Sequence, residues 1–308
     1  MFARAHLSSV EIPASELKIG NELQRGGMGA VLTGKWLGIS VAVKTVTDAS
    51  KQEALLREAE LLASMRHPCI CQFYGASRID GTFMMVMELL DCSLHEVIAC
   101  PRCIPAALCL RLAHETAQGI AYLHRNNMLH RDIKPSNVML DKLQHAKVCD
   151  FGLSKPYALS MEVLGDFAYL IEGDAPDSAR SADGTGGSRG TSSANSANTT
   201  YAVGTLRYMA PEVVQSTDEA VKMVYEAPSD VYSFGILLWE LAHRQLPFAG
   251  IEGVEVAIKV ARSGQRPPLQ LPKGLQDLEP IIASCWHCDP NQRPPMSVCA
   301  ERLCALDR

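Results

Sequence analysis

No stretch of this 308-residue chain approaches the ~20 consecutive apolar residues that a membrane-spanning helix needs, and the best run, Phe234 to Leu241, is broken by Glu240. The sequence therefore predicts no membrane span. Residues 1–16 carry Arg4 and lack a long apolar core, so they do not read as a secretory signal. Positive charge is not in excess either: 29 Lys and Arg stand against 34 Asp and Glu, a formal net charge of −5. A nucleic-acid partner would favour a concentrated basic face, and none is expected here. Cysteine is plentiful, with 11 residues, but the pairs Cys100/Cys103 and Cys285/Cys288 lack the compact spacing of a zinc ribbon. Reduced thiols and no structural metal are expected, in a protein of the cytoplasm or nucleus.

What is present is ordinary globular material. Hydrophobic residues make up 47% and charged residues 20%, and the length suits one large domain or two packed lobes. Polar residues of particular kinds are then concentrated in one place. His130-Arg131-Asp132-Ile133-Lys134-Pro135-Ser136-Asn137 holds an acid, basic partners and a carboxamide, and Asp150-Phe151-Gly152 follows a short hairpin later. Phosphoryl transfer from a nucleotide needs that inventory: a carboxylate to receive the acceptor hydroxyl's proton, and oxygen ligands for magnesium. Upstream, apolar alternation from Leu17 runs into a cluster at Gly26, Gly27 and Gly29, where backbone N–H groups can approach phosphates without Cβ interference. Val41-Ala42-Val43-Lys44 follows, a β-branched run ending in a lysine.

In this order, the segments resemble the protein kinase family: glycine-rich loop, strand lysine, catalytic loop and magnesium loop. The resemblance implies an α+β, bilobal fold, with a small antiparallel sheet and one main helix above a larger, mainly helical lobe. It implies ATP and Mg2+ as cofactors, with Leu23, Gly26, Gly27, Gly29, Val31, Ala42 and Lys44 around the nucleotide. Met87 takes the place of the gatekeeper, and Glu88 to Leu90 that of the hinge contacting adenine. Asp132 is the expected catalytic base, Lys134 the group that offsets phosphoryl charge, and Asn137 and Asp150 the metal ligands. The family's first loop glycine is Gln24 here.

Ser50-Lys51-Gln52-Glu53 has the form of a capping box, so a helix is expected from Ser50 to about Arg66, before Pro68. Within it the resemblance implies a glutamate partner for Lys44; Glu53 and Glu60 compete with Glu58, which is favoured because Leu62 one turn later can supply the stack with Phe73, His130 and Phe151 that the family uses. Helical periodicity is also read over Leu94 to Ile98 and Ala106 to Arg125, with Leu108, Leu112, Ala113, Thr116 and Ile120 on one face. Asp230, opening the apolar run to Leu241, is expected to anchor the catalytic loop, and Arg293 to form a buried ion pair with Glu212.

Glu212 lies 62 positions beyond Asp150, about twice what the resemblance implies. From Gly173 to Thr200 the apolar side chains are alanines and one proline, too little to offset ordering entropy, so a disordered insertion is expected. Met161 to Ile171, more apolar, reads as a segment packed on the lower lobe. Arg131 is expected to gather a phosphate at Thr199, Thr200 or Tyr201, added by an upstream kinase or by the chain itself. The expected layout is an extension over 1–16 and one kinase domain over 17–305, with lobes at 17–90 and 91–305. Lys134-Pro135-Ser136 and Thr205 point to serine/threonine acceptors on proteins. Arg207-Tyr208-Met209-Ala210-Pro211-Glu212 and the Leu17-Lys18-Ile19-Gly20 lead-in look like the tyrosine-kinase-like group, its Raf-like and mixed-lineage-like members. The rival expectations are a pseudokinase scaffold and a tyrosine or dual-specificity enzyme.

Overall fold

The computed structural model describes residues 10–26, 29–156, 205–215 and 226–307. Gly27, Met161 to Ile171, Gly173 to Thr200 and Tyr201 lie outside the described residues. The insertion, the packing segment and the three phosphorylation sites expected there therefore lie outside them too.

The upper lobe is built from β1 (Leu17–Gly26), β2 (Gly29–Trp36), β3 (Ile39–Thr45), helix α1 (Ala49–Ala63), β4 (Phe73–Ile79) and β5 (Thr82–Glu88). The five strands form one antiparallel sheet in the order β1-β2-β3-β5-β4. Alternation along β3 decides what each face does. Val41 and Val43 join Ile12, Leu17 and Val86 in a small apolar cluster on one face. Ala42 and Lys44 point the other way, towards the cleft between the lobes.

The sheet gains a contact ahead of β1, and the bounds of α1 shift from those expected. The chain joins the fold before residue 17: Ile12 donates its N–H to the Ala76 carbonyl at 2.7 Å, and Ala76 donates to Val10 at 3.1 Å. These bonds cover the outer edge of β4, which would otherwise be unpaired, and the Ile12 side chain is buried in the apolar cluster of the sheet. Helix α1 starts at Ala49, one residue before the expected cap at Ser50, and Lys51 donates its N–H to the Asp48 carbonyl. The helix also closes at Ala63, short of Arg66, and Ser64 and Met65 bond back three residues to Leu61 and Leu62. A tightened last turn is how the chain leaves the helix ahead of Pro68.

The lower lobe runs β6 (Cys92–Ser93), α2 (Leu94–Ala99), α3 (Ala106–Arg125), β7 (Met128–Leu129), β8 (Val138–Leu140), β9 (Ala146–Val148) and β10 (Lys155–Pro156). It continues with α4 (Pro211–Gln215), α5 (Ala227–His243), α6 (Gly253–Ser263), α7 (Glu279–Cys285) and α8 (Met296–Leu306). A capping box does form, at α2: Ser93 Oγ accepts the Glu96 N–H while the Glu96 carboxylate accepts the Ser93 N–H. Leu112, Ala113, Thr116 and Ile120 of α3 are buried as the periodicity predicts, and Leu108 sits at the rim. Helix α5 is buried on every side from Ser229 to Ala242, which makes it the axis of this lobe. The result is the small antiparallel sheet with one helix and the larger helical lobe of the expected α+β fold.

Candidate active site

β3 and α1 meet at an ion pair. Lys44 Nζ lies 2.8 Å from both carboxylate oxygens of Glu58. It also lies 2.9 Å from Asp150 Oδ1, so one ammonium ties the sheet, the helix and the lower lobe together. Burial alone would depress the lysine, but Asp150 and Glu58 outweigh it and hold its pKa above the ordinary value. The same lysine, against burial, lowers the pKa of Asp150, which keeps that carboxylate ionised. Burial dominates at Glu58 and raises it. Below this ion pair, Leu62, Phe73, His130 and Phe151 are all buried, and the His130 and Phe151 rings sit 5.2 Å apart.

The catalytic-loop residues are held from beneath. Asp230, at the start of α5, accepts the backbone N–H groups of His130 at 2.9 Å and Arg131 at 2.8 Å. His124 Nε2 lies 3.0 Å from the same carboxylate. Arg131 has φ +71° and Asp150 φ +61°, left-handed conformations that cost a non-glycine residue free energy. Both are fixed by contacts from distant parts of the chain rather than by local sequence.

Asp132 sits beside the cleft, held by three side chains. Lys134 Nζ lies 2.8 Å from its Oδ2, and Asn137 Nδ2 donates to its backbone carbonyl and Oδ2, each at 2.7 Å. Thr205, from the far side of the activation segment, donates to Asp132 Oδ1 at 3.3 Å and accepts from Lys134 Nζ at 2.8 Å. Because Asn137 uses its amide N–H groups on Asp132, its carbonyl oxygen is the end left for a cation. That oxygen and the ionised Asp150 carboxylate form a hard oxygen donor set, which fits magnesium.

Above them lies a cavity of about 360 Å³, a volume in the usual range for small-molecule sites. Of the nucleotide residues expected from sequence, Leu23, Gly26, Gly29, Val31, Ala42, Lys44, Met87, Glu88 and Leu90 all line it, as does Gln24. Gly29 has φ +123°, and a Cβ there would meet the Thr45 carbonyl at 2.3 Å, so no other residue fits the hairpin turn. The Glu88 N–H is already donated to Gln72, and its carboxylate pairs with Lys147 at 3.2 Å. The Glu88 and Leu90 backbones remain the groups expected to meet a base, and both residues line the cavity.

Sequence reading missed Cys71, Met139, Cys149 and Asp91 in the cavity lining. Met139 was accessible to it, since β8 alternates and Met139 lies two residues beyond Asn137. Arg293 meets Glu212 through two bonds of 2.7 and 2.8 Å, with the arginine side chain fully buried and the glutamate 26% exposed. The pair is half-buried rather than buried as expected, because Glu212, in the first turn of a short helix, keeps part of its side chain exposed. Among the described residues no group of three or more His, Cys, Asp or Glu is placed to hold a metal. Nor is any helix among them long and apolar enough to cross a membrane.

Residues 17–172 match the protein kinase domain family, and 186–303 match the family described as protein tyrosine and serine/threonine kinase. The chain is 32% identical over 296 residues to a probable serine/threonine-protein kinase of Dictyostelium discoideum, covering 94% of this chain and 28% of that protein. It is 31% identical over 305 residues to a putative serine/threonine-protein kinase/receptor of Acanthamoeba polyphaga mimivirus, covering 95% of this chain and 16% of that one. It is also 31% identical over 305 residues to the serine/threonine-protein kinase VIK of Arabidopsis thaliana, covering 95% and 61%. The chain thus spans less than two thirds of each of these relatives. The first family match takes in half of the chain and the whole cleft just described, and this chain belongs to the protein kinase family.

Proposed function

We propose that this chain is an ATP-dependent protein serine/threonine kinase, transferring the γ-phosphoryl group to a serine or threonine hydroxyl. The observation that carries this is that Lys44, Asn137 and Asp150 line one cleft while Asn137 is bonded to the Asp132 carboxylate beside it, with Thr205 bonded to both Asp132 and Lys134. A threonine there narrows the approach to the catalytic carboxylate, which suits a short acceptor side chain. The names of the relatives point the same way.

Lys44 holds phosphate oxygens, and Glu58 keeps it aimed. Asp132 orients the acceptor hydroxyl and takes its proton, and Lys134 offsets charge as it builds in the transition state. Asn137 and Asp150 would hold magnesium, which when bound neutralises charge on the phosphates. Gly26, Gly27 and Gly29 cover the phosphates with backbone N–H groups. Arg131 would bind a phosphate on Thr199, Thr200 or Tyr201, supplied by an upstream kinase or in cis. The wording around Arg207 to Glu212, with the second family match, supports placement in the tyrosine-kinase-like group. Residence in the cytoplasm or nucleus is consistent with this chemistry.

The test is a peptide-array phosphorylation profile of the wild-type protein, with Asp132→Asn as its control. Labelled serine and threonine peptides with a silent control are expected. A silent wild type would favour a nucleotide-binding scaffold, and predominant phosphotyrosine would overturn the acceptor assignment.

A further inference from the structure

We propose that Arg207 is a positioning residue for the protein acceptor, setting the height of the peptide platform beside Asp132 through the loop that follows α5. This rests on the transfer reading above. An acceptor hydroxyl must come within hydrogen-bond reach of Asp132, and Thr205 already lies 3.3 Å from that carboxylate. The chain flanking the hydroxyl therefore runs along residues 205–209, a single 3-10 turn from Leu206 to Tyr208 and its exit.

The inner edge of that turn is fixed. Leu206 and Tyr208 are buried, the Tyr208 carbonyl accepts from Ser233 Oγ at 2.8 Å, and the Tyr208 hydroxyl donates to Glu240 Oε2 at 2.5 Å. Both partners belong to α5, the buried axis of the lobe. The outer edge has no such anchor in the helix and depends on Arg207, which is half-buried. Its Nη1 donates to the carbonyls of Pro247 and Phe248 at 3.1 and 3.0 Å, and Nη2 donates to the Ile251 carbonyl at 2.5 Å.

One guanidinium thus collects three carbonyls of one loop. The loop presents them together only because Phe248 and Gly250 adopt left-handed conformations, φ +54° and +82°. A planar fork can satisfy this array, and a single ammonium cannot span it. Among the described residues, no group assigned to nucleotide or metal donates to or accepts from Arg207, so its loss should be felt by the acceptor alone.

The experiment compares wild type, Arg207→Lys and Gly250→Ala in the full chain, with myelin basic protein as acceptor and with water as acceptor in its absence. Gly250→Ala acts through the backbone alone, since a Cβ there meets no atom within 4 Å. In each variant the KM for myelin basic protein is expected to rise about tenfold, with kcat at saturation within about twofold. The KM for ATP and the rate of ATP hydrolysis should be unchanged, and the double variant should be no worse than the poorer single one. An unchanged protein KM in both variants overturns the inference. So does a joint fall in kcat, ATP affinity and melting temperature, which would mark a merely structural role. Should Arg207→Lys fail to fold, Gly250→Ala decides alone. A wild type that binds ATP yet labels no protein removes the transfer reading and this inference with it, whereas labelling with an unmoved KM removes only the inference.

Discussion

Asp230 Oδ1 accepts the backbone N–H of Arg131 at 2.8 Å, and that arginine is held at φ +71°, a conformation its own sequence does not favour. The catalytic loop is therefore bent by a carboxylate 99 residues away. Asp230 is buried, and although burial opposes it, His124 and the loop's N–H groups lower its pKa, so it is ionised. An asparagine must turn an NH2 towards one of these donors, leaving a buried N–H unmatched. Asp230→Asn is expected to cost about 2 kcal/mol of stability and to lower kcat more than KM, read by urea unfolding and steady-state kinetics. Unchanged kcat would show that the loop holds its bend unaided.

Lys44 carries two loads, and they separate. Lys44→Met should lower phosphoryl transfer by about hundredfold or more, since the phosphates lose their cation. It should also cost about 3 kcal/mol of stability, because buried Glu58 loses its partner. Adding Glu58→Gln should restore much of the stability and none of the transfer. Parallel recovery of both in a double-variant assay would mean that the lysine acts only by holding α1.

Much of this site was legible because its residues are ordered along the chain in short, chemically distinct groups. Lys44, Asp132, Asn137 and Asp150 are recognisable by type and spacing, and the face of β3 that turns Lys44 inward follows from period-two alternation. The strained backbone at Arg131 and Asp150 was not legible, since neither residue is a glycine and the restraint comes from Asp230 and Lys44. Pairings such as Lys147 with Glu88 and Ile12 with Ala76 join segments that share no local pattern. The cap of α1 was misplaced because Ser50 and Glu53 satisfy the pattern while Asp48, two residues earlier, is where the first turn begins. The clasp of Arg207 uses only backbone acceptors, which no side-chain motif can advertise.

Arg293 meets Glu212 as a fork on a fork, at 2.7 and 2.8 Å, and its guanidinium also lies 5.1 Å from the Tyr232 ring. Lysine would keep the charge and lose the second bond and the stacking face. Arg293→Lys is thus expected to destabilise by about 2 kcal/mol, within the range for a charged hydrogen bond, without altering the KM for ATP. Thermal unfolding alongside ATP kinetics checks both halves, and a neutral effect on stability would show that charge alone suffices.

Glu240 is a buried carboxyl whose pKa burial raises to about 7, against the lowering pull of the Tyr208 hydroxyl and Arg207. In the unfolded chain it would titrate near the ordinary glutamate value of 4.5. Below that value both states hold the proton and there is no penalty. As pH rises towards 7 the unfolded chain ionises while the native state keeps its proton, so stability falls; above 7 the loss is complete, on the order of 3 kcal/mol. Glu240→Gln keeps an acceptor for Tyr208 and cannot ionise, so its advantage over wild type should be small at pH 4.5 and grow to that order by pH 8. Urea unfolding of both proteins across this range measures the difference, and parallel curves would mean that the carboxylate is ionised throughout, held by Arg207.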